Sequence, residues 1–273
     1  MKRFYKTIWL VMALINAVQG GEEDSLWRHL DVGLELGIFP ASQKSRVGDS
    51  RITVLRIDPR HYEFKLLTST EYGREPQTVR RWAEDFGLIA AVNAGMYQED
   101  HRTSVGFLQN FDHVNNPHVN KNRTIFAFNP TDSTLPPAQI IDRTCQDFEA
   151  LRPKYRSFLQ SIRMLSCRQE NVWSPRQKAW SIVALGMDKQ GRILFLFTQS
   201  PYTVHDFINI LLELPLDIHN AMYLEGGPPA TLYISCNGFR MERHGIIEAG
   251  PLQDSVLNTD WPIPNVLGVV RKG

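Results

Sequence analysis

Two short strings place reactive side chains where a buried strand stops. Ala221, Met222, Tyr223 and Leu224 form an apolar run that ends on Glu225-Gly226-Gly227-Pro228-Pro229. A carboxylate leaving a buried strand is shielded from water, and two glycines leave backbone open to a ligand, so Glu225 is a candidate acid or base. The same string is also an ordinary turn, and that reading stands beside the functional one. Upstream, Ala90-Ala91-Val92 runs into Asn93-Ala94-Gly95-Met96-Tyr97. The Asn93 amide could hold a sugar hydroxyl or a phosphate oxygen, or it could cap the turn through its own backbone.

Other chemistry is thin. There is no G-x-S-x-G elbow, no H-E-x-x-H helix and no G-x-x-x-x-G-K loop, which counts against an ordinary serine hydrolase, a zincin and a P-loop enzyme. His113 and His118 lie in an Asn-rich stretch and read as solvated loop polarity rather than a metal site. No metal cluster stands out, although a divalent ion held by carboxylates and a phosphate would leave little trace in sequence. Cofactors are therefore left unassigned. The three cysteines, Cys145, Cys167 and Cys236, lack metal or redox spacing. Cys145 and Cys167 could pair and leave Cys236 over, or all three could be buried thiols.

The elements that must position these residues are mostly strands. Ile52 to Ile57 and Tyr62 to Leu67 are β-rich and joined by Asp58-Pro59-Arg60, which predicts a hairpin. Val79, Trp82, Ala83 and Phe86 follow Thr78 at helical spacing, with Gly87 as terminator. Leu88 to Val92, Ser104 to Leu108 and Thr124 to Phe128 read as strands, with a loop over His113 to Arg123 and a short helix over Glu149 to Gln160 limited by Pro153. Ser181 to Leu185 and Ile193 to Thr198 flank a hairpin turn at Asp188-Lys189-Gln190-Gly191. Thr203 caps a helix whose apolar face runs from Val204 to Leu212 and stops at Pro215. Ala221 to Leu224, Thr231 to Ile234 and Val266 to Val270 add strands. Hairpins mixed with strand-helix-strand passages predict an α+β fold, a single domain on a mixed, largely antiparallel sheet with packed helices.

Composition narrows the class. Lys plus Arg number 30 against 29 for Asp plus Glu, a net charge of +1, so the chain lacks the positive field of a general nucleic-acid binder. Hydrophobic residues at 42% and charged ones at 22% are those of a folded protein. Lys2, Arg3 and Lys6 precede an apolar run from Ile8 to Val18, followed by Gly20 and the acidic stretch from Glu22. This is the plan of a secretory signal over residues 1–20, too short for a membrane span of about 20 apolar residues. The domain would then be 21–273, periplasmic or secreted, touching a membrane solely through an uncleaved N-terminal segment if at all.

Five strings in order carry a family resemblance: NAGMY at 93–97, SVGF at 104–107, QSIRML at 160–165, Trp180-Ser181 followed by DKQGRILF, and YLEGGPPATLY at 223–233. Together the chain resembles the phosphodiester glycosidase domain family, which includes the lysosomal uncovering enzyme, in its exported bacterial branch. The resemblance runs from about Ile52 to Val270 and implies a glycosidase acting on a phosphodiester-linked sugar. It puts Asn93, Gly95, Gly106, Arg163, Glu225, Gly226 and Gly227 in or beside the family's cleft. Two departures stand out: the family more often has Asp where Glu225 lies, and many members have arginine where Trp180 stands.

The resemblance implies roles. Glu225 would be general base or nucleophile, Arg163 would hold phosphate oxygens, and Asn93, Gly95, Gly106, Gly226 and Gly227 would line the substrate. A second carboxylate is expected of a glycosidase; Glu99, Asp100 and Asp206 are candidates, although a phosphodiester leaves readily and needs less acid help. His205 is kept as a catalytic candidate because SPYTVHDF also resembles the bacterial branch. The alternatives are a non-catalytic glycan- or phosphodiester-binding module of the envelope, using Asn93, Tyr97 and Tyr223, and a structural envelope protein whose glycines serve its turns. The expected partner is a small-molecule or glycan phosphodiester, and no nucleic acid.

Overall fold

The structure, a computed structural model, describes residues 26–246 and 260–273; the signal-like residues 1–20 lie outside them. The N-terminal strands are β1 (Trp27–Asp31), β2 (Leu34–Pro40), β3 (Arg51–Ile57) and β4 (Tyr62–Thr68), followed by α1 (Val79–Phe86). Then come β5 (Ala90–Asn93), β6 (Leu108–Asn110), β7 (His113–Asn116), β8 (Thr124–Pro130), β9 (Ala138–Asp142) and α2 (Phe148–Leu151). The chain continues through β10 (Tyr155–Leu165), β11 (Trp180–Asp188), β12 (Ile193–Tyr202) and α3 (Val204–Glu213). It closes with β13 (Ile218–Gly226), β14 (Thr231–Cys236), β15 (Phe239–His244) and β16 (Asn265–Arg271).

These strands form two sheets. The larger has 11 strands in the order β1-β2-β3-β12-β11-β13-β10-β6-β7, with β8 on β10 and β9 on β8. The smaller has five, β15-β14-β5-β16-β4. Leu55, Phe195, Val183 and Leu224 of the larger sheet share one buried cluster with Phe64, Val92, Leu232 and Leu267 of the smaller, so the sheets pack face to face. α3 covers the outer face of the larger sheet with Phe207, Ile208 and Leu211, and α1 covers the outer face of the smaller with Val79, Trp82 and Ala83. Burying each of the large side chains contributes about 1.5–3 kcal/mol, which outweighs the modest propensity of such short helices.

Every pairing among the described strands is antiparallel, so the sheet is not mixed, and the helices are three short covers on a β-sandwich rather than an equal partner in an α+β fold. The caps expected of the helices are present: Thr78 Oγ1 accepts from the Arg81 amide at 3.2 Å, Gly87 adopts φ 62°, and Thr203 Oγ1 accepts from the Asp206 amide at 3.1 Å. The predicted hairpin at Asp58 is a turn between sheets instead. β3 lies between β2 and β12, whereas β4 pairs with β16, because strand periodicity reports which face is buried and not which strand lies alongside.

Three local expectations also change. The predicted helix over 149–160 is one turn, α2, and a 3-10 turn at Pro153; Tyr155–Leu165 is then a strand buried between β8 and β13. Pro153 ends the helix, and pairing on both edges fixes the rest as strand. Strand β6 begins at Leu108, leaving Ser104 with an isolated bridge to Tyr97, and the loop expected from His113 starts as β7. Cys145 and Cys167 form a disulfide with Cα atoms 6.7 Å apart, and Cys236 is a buried free thiol, which decides between the two cysteine readings. No helix among the described residues is long and apolar enough to cross a membrane.

Candidate active site

Two crossings between the sheets are tied together through Asn93 and Thr231. β13 of the larger sheet passes to β14 of the smaller through the Gly226–Ala230 turn, and β5 of the smaller passes to β6 of the larger through Gly95; Trp261, just before β16 of the smaller sheet, bonds to Tyr97 beside them. Glu225 stands opposite Val183 of β11, next to a register shift between Val183 and Ala184, the kind of irregularity that re-aims a side chain at a strand end.

The turn that carries Glu225 is fixed backbone by backbone. The Gly227 amide donates to Ser181 O at 2.9 Å, and Gly227 O accepts from the Ala230 amide at 3.0 Å. Gly227 has φ +69°, a left-handed conformation that a side chain would strain. At Gly226 the α-carbon lies so close to the Tyr223 hydroxyl that a Cβ would overlap it. Gly106 is similarly pressed on the Gln160 carbonyl, and Gly95 has φ +80°. Gly95, Gly106 and Gly227 thus answer to backbone demands of the crossings, and Gly226 to the Tyr223 side chain.

Asn93 is the tie between the two sequence strings. Its side chain is buried; Nδ2 donates to Pro229 O at 2.6 Å, and Oδ1 accepts from the Thr231 amide at 2.9 Å and Thr231 Oγ1 at 3.0 Å. It caps no turn of its own and offers no free acceptor to substrate. It instead positions the Glu225 turn from the neighbouring sheet.

Burial pushes the Glu225 carboxyl up to about 7, against a partly offsetting bond from the Gly226 amide to Oε1 at 2.9 Å. Its neighbours are two tyrosines. Burial raises the hydroxyls of Tyr97 and Tyr223 as well, and the charge of Glu225 adds to both, so they stay protonated and able to donate. Trp261 Nε1 donates to Tyr97 Oη at 3.0 Å, and the Trp173 ring lies 5.9 Å from that of Tyr223. A carboxyl near 7 beside two phenols can take a proton from water at neutral pH.

The remaining candidates do not join it. Arg163 sits opposite Met222, and its Nη1 contacts Asp142 Oδ1 and Oδ2 at 3.1 Å and Thr144 Oγ1 at 2.7 Å. Its charge is already balanced by a fully buried carboxylate, so its place is a clamp between β10 and β9 rather than a free phosphate ligand beside Glu225. His205 lies on the first turn of α3, 3.5 Å from Asp206 Oδ1 and 3.4 Å from Asn209 Nδ2, and lines a cavity with Trp173 rather than contributing to the titration of Glu225. Asp206 is bound to Thr203 Oγ1 at 2.8 Å as the helix cap. Asp100 is held low by the Thr103 hydroxyl and the amides of Thr103 and Arg102, and Glu99 is exposed on the same loop. Among the described residues, no second carboxylate figures in the titration of Glu225.

Two groups of described residues bring His, Cys, Asp or Glu ligand atoms within 4.8 Å of one another. One is Asp142 with the disulfide sulfurs of Cys145 and Cys167. The other is Glu242, His244 and Asp260, where Arg80 already pairs with Glu242. A cavity of about 560 Å3 lies at the opposite end of β11 around Asp188 and Gly191 and contains none of the candidate residues.

A family model described as phosphodiester glycosidase matches residues 86–270. The chain belongs to the phosphodiester glycosidase family. It is thereby a hydrolase of the glycosidase type acting on phosphodiester-linked sugars. Among solved structures, the zebrafish N-acetylglucosamine-1-phosphodiester alpha-N-acetylglucosaminidase catalytic domain, auto-inhibited by its pro-peptide, is 14% identical with TM-score 0.59, covering 87% of this chain and 83% of that one. A hypothetical protein from Synechocystis is 13% identical with TM-score 0.63, covering 88% of this chain and 62% of that one. At these identities the likeness is one of fold. No curated protein matches in sequence.

The family match begins inside α1, so β1 to β4 lie before it although they complete both sheets. Trp173 and Trp261 pack on the two tyrosines of the candidate site, and neither is a candidate on sequence grounds. Trp173 carries a local cue, an exposed-type Trp-Ser-Pro string; Trp261 has none, since its place beside Tyr97 depends on the long-range pairing of β16 with β5.

Proposed function

We propose that this chain is an exported hydrolase that releases a sugar from a sugar-1-phosphodiester, with Glu225 as general base. The observation that carries the reading is the Glu225 carboxyl, held at the sheet crossing between Tyr97 and Tyr223 and pushed up to about 7. Water attacks the anomeric carbon, its proton passes to Glu225, and the bond from that carbon to the phosphate oxygen breaks with both electrons going to the departing phosphomonoester. That leaving group is stabilised as an anion, which fits a site where, among the described residues, a second carboxyl does not figure beside the first. The activity of the zebrafish enzyme, on an N-acetylglucosamine phosphodiester, supports the substrate class. Export rests on the signal-like residues 1–20.

Base catalysis by a single carboxylate predicts inversion at the anomeric carbon. The test is release of free sugar from a panel of sugar-1-phosphodiesters by wild type and Glu225→Gln, with the product anomer followed by NMR. Loss of about 10²–10⁴-fold in kcat with Glu225→Gln, an inverted product and a kcat/KM that rises with pH through about 7 are expected. Equal rates in the two proteins would sink the assignment of Glu225. A retained product would make Glu225 the nucleophile, and binding without turnover would favour the envelope-binding module.

A further inference from the structure

Next to the Glu225 site the outer face of the larger sheet carries two cavities that share Gln177 and Thr203 and so form one groove. The nearer, about 160 Å3, is lined by Trp173, Arg176, Lys178, Trp180 and His205. The farther, about 210 Å3, is lined by Lys44, Arg46 and Asp206 together with loop backbone. Trp173 joins the groove to the site, because its ring also packs on Tyr223. On β11, Trp180 lies three residues before Val183, the partner of Glu225, a separation of roughly 10 Å along the strand.

Four cations gather along this groove. Lys44, Arg46, Arg176 and Lys178 are exposed, and none forms an ion pair among the described residues. Asp206 is the one acid lining either cavity, and Thr203 already engages it at 2.8 Å. Lys178 Nζ stands 5.8 Å from the centre of the Trp180 ring, and Trp180 is 38% exposed. The family resemblance puts arginine at this position in many members; here an aromatic face takes the position and a neighbouring lysine supplies the cation. Unpaired cations recognise phosphate by charge-assisted contact, and aromatic faces bury the apolar side of a sugar ring while leaving its hydroxyls wet.

We propose that this groove binds the chain beyond the scissile phosphodiester, and that the substrate is an anionic glycan built of sugar-phosphate repeats rather than a single small phosphodiester. The proposal rests on the hydrolase reading of Glu225 and adds the identity of the group on the far side of the phosphate. Trp173 and Trp180 stack successive sugars, and Lys178, Arg176, Lys44 and Arg46 meet successive phosphates.

The test uses the full chain and four probes: a long poly(glycosyl phosphate), a one-phosphate methyl diester of the same sugar, an uncharged glycan of equal length, and polyglutamate. Binding is followed by tryptophan fluorescence in the non-cleaving Glu225→Gln protein and turnover in wild type, each repeated in a Lys44→Ala/Arg46→Ala/Arg176→Ala/Lys178→Ala variant. The ratio of KM for the polymer to KM for the one-phosphate diester is expected to rise about tenfold in that variant, and polymer affinity to fall with salt. An unchanged ratio overturns the proposal, as does equal binding of the uncharged glycan or of polyglutamate, which would make the groove a plain sugar site or an unselective cation patch. Polymer binding that the variant weakens, with no cleavage of any probe, would uphold the groove and reject the hydrolase reading, so the two fail separately. A circular dichroism spectrum and melting temperature equal to wild type confirm that the variant folds; a variant that unfolds is replaced by Arg176→Gln/Lys178→Gln.

Discussion

Asp142 and Glu225 both end strands of the larger sheet, one on β9 and the other near the close of β13, yet they titrate in opposite directions. Burial pushes both upward. At Asp142 the amides of Thr144 and Cys167, at 3.0 and 3.1 Å, and the Arg163 guanidinium outweigh it and hold the carboxyl low. Glu225 receives one amide, from Gly226, and faces two tyrosines that its own charge disfavours ionising, so burial prevails. The difference lies in the donors as well as in the heavier desolvation of Glu225: a carboxylate supplied with amides and a cation is a structural joint, and one left short of them keeps a proton to exchange.

The comparison can be broken most forcefully at Asp142. Asp142→Ala is expected to lose about 3–5 kcal/mol in urea unfolding, because Arg163 is then left with an uncompensated charge in a largely buried place. The double variant Asp142→Ala/Arg163→Met should recover part of that loss. A double variant as unstable as the single one would show that Asp142 acts through the amides of Thr144 and Cys167 and not by neutralising Arg163.

A smaller effect is expected at Asn93, which serves the other carboxyl. Asn93→Ala strands the Thr231 amide and Pro229 O inside the sandwich, for a loss of about 2–3 kcal/mol. Because the Glu225 turn is then released toward water, the pH midpoint of kcat/KM should move down from about 7 toward the ordinary carboxyl range. A variant that is destabilised with an unmoved midpoint would make Asn93 a fold residue alone.

Much of this arrangement is legible in the sequence. The caps at Thr78 and Thr203, the hairpin at Asp188 and the buried runs ending on Asn93 and Glu225 are local signals, set by side-chain hydrogen bonding and period. What periodicity could not give was partner identity. The sheet change at Asp58, the strand nature of Tyr155–Leu165 and the meeting of Trp261 with Tyr97 all depend on contacts between distant segments. Arg163 shows the same gap in the site: its motif marked it for phosphate, and the buried Asp142 that claims it lies 21 residues away on another strand.

The smallest expected effect is the most direct reading of the contrast, and it concerns stability rather than rate. Glu225 has a folded value of about 7 against 4.5 for an ordinary glutamate, so between these pH values the folded chain keeps a proton that the unfolded chain releases. Wild-type stability therefore falls as pH rises through that window and stays lower above it. Because the side chain retains some contact with solvent, the penalty is on the order of 1–2 kcal/mol rather than the full value of the shift. Glu225→Gln keeps the acceptor for the Gly226 amide and removes the charge, so it should melt like wild type near pH 4 and about 2–8 °C higher at pH 8. A difference in melting temperature that does not grow with pH would mean that burial does not strain this carboxylate, and the distinction from Asp142 would lose its physical basis.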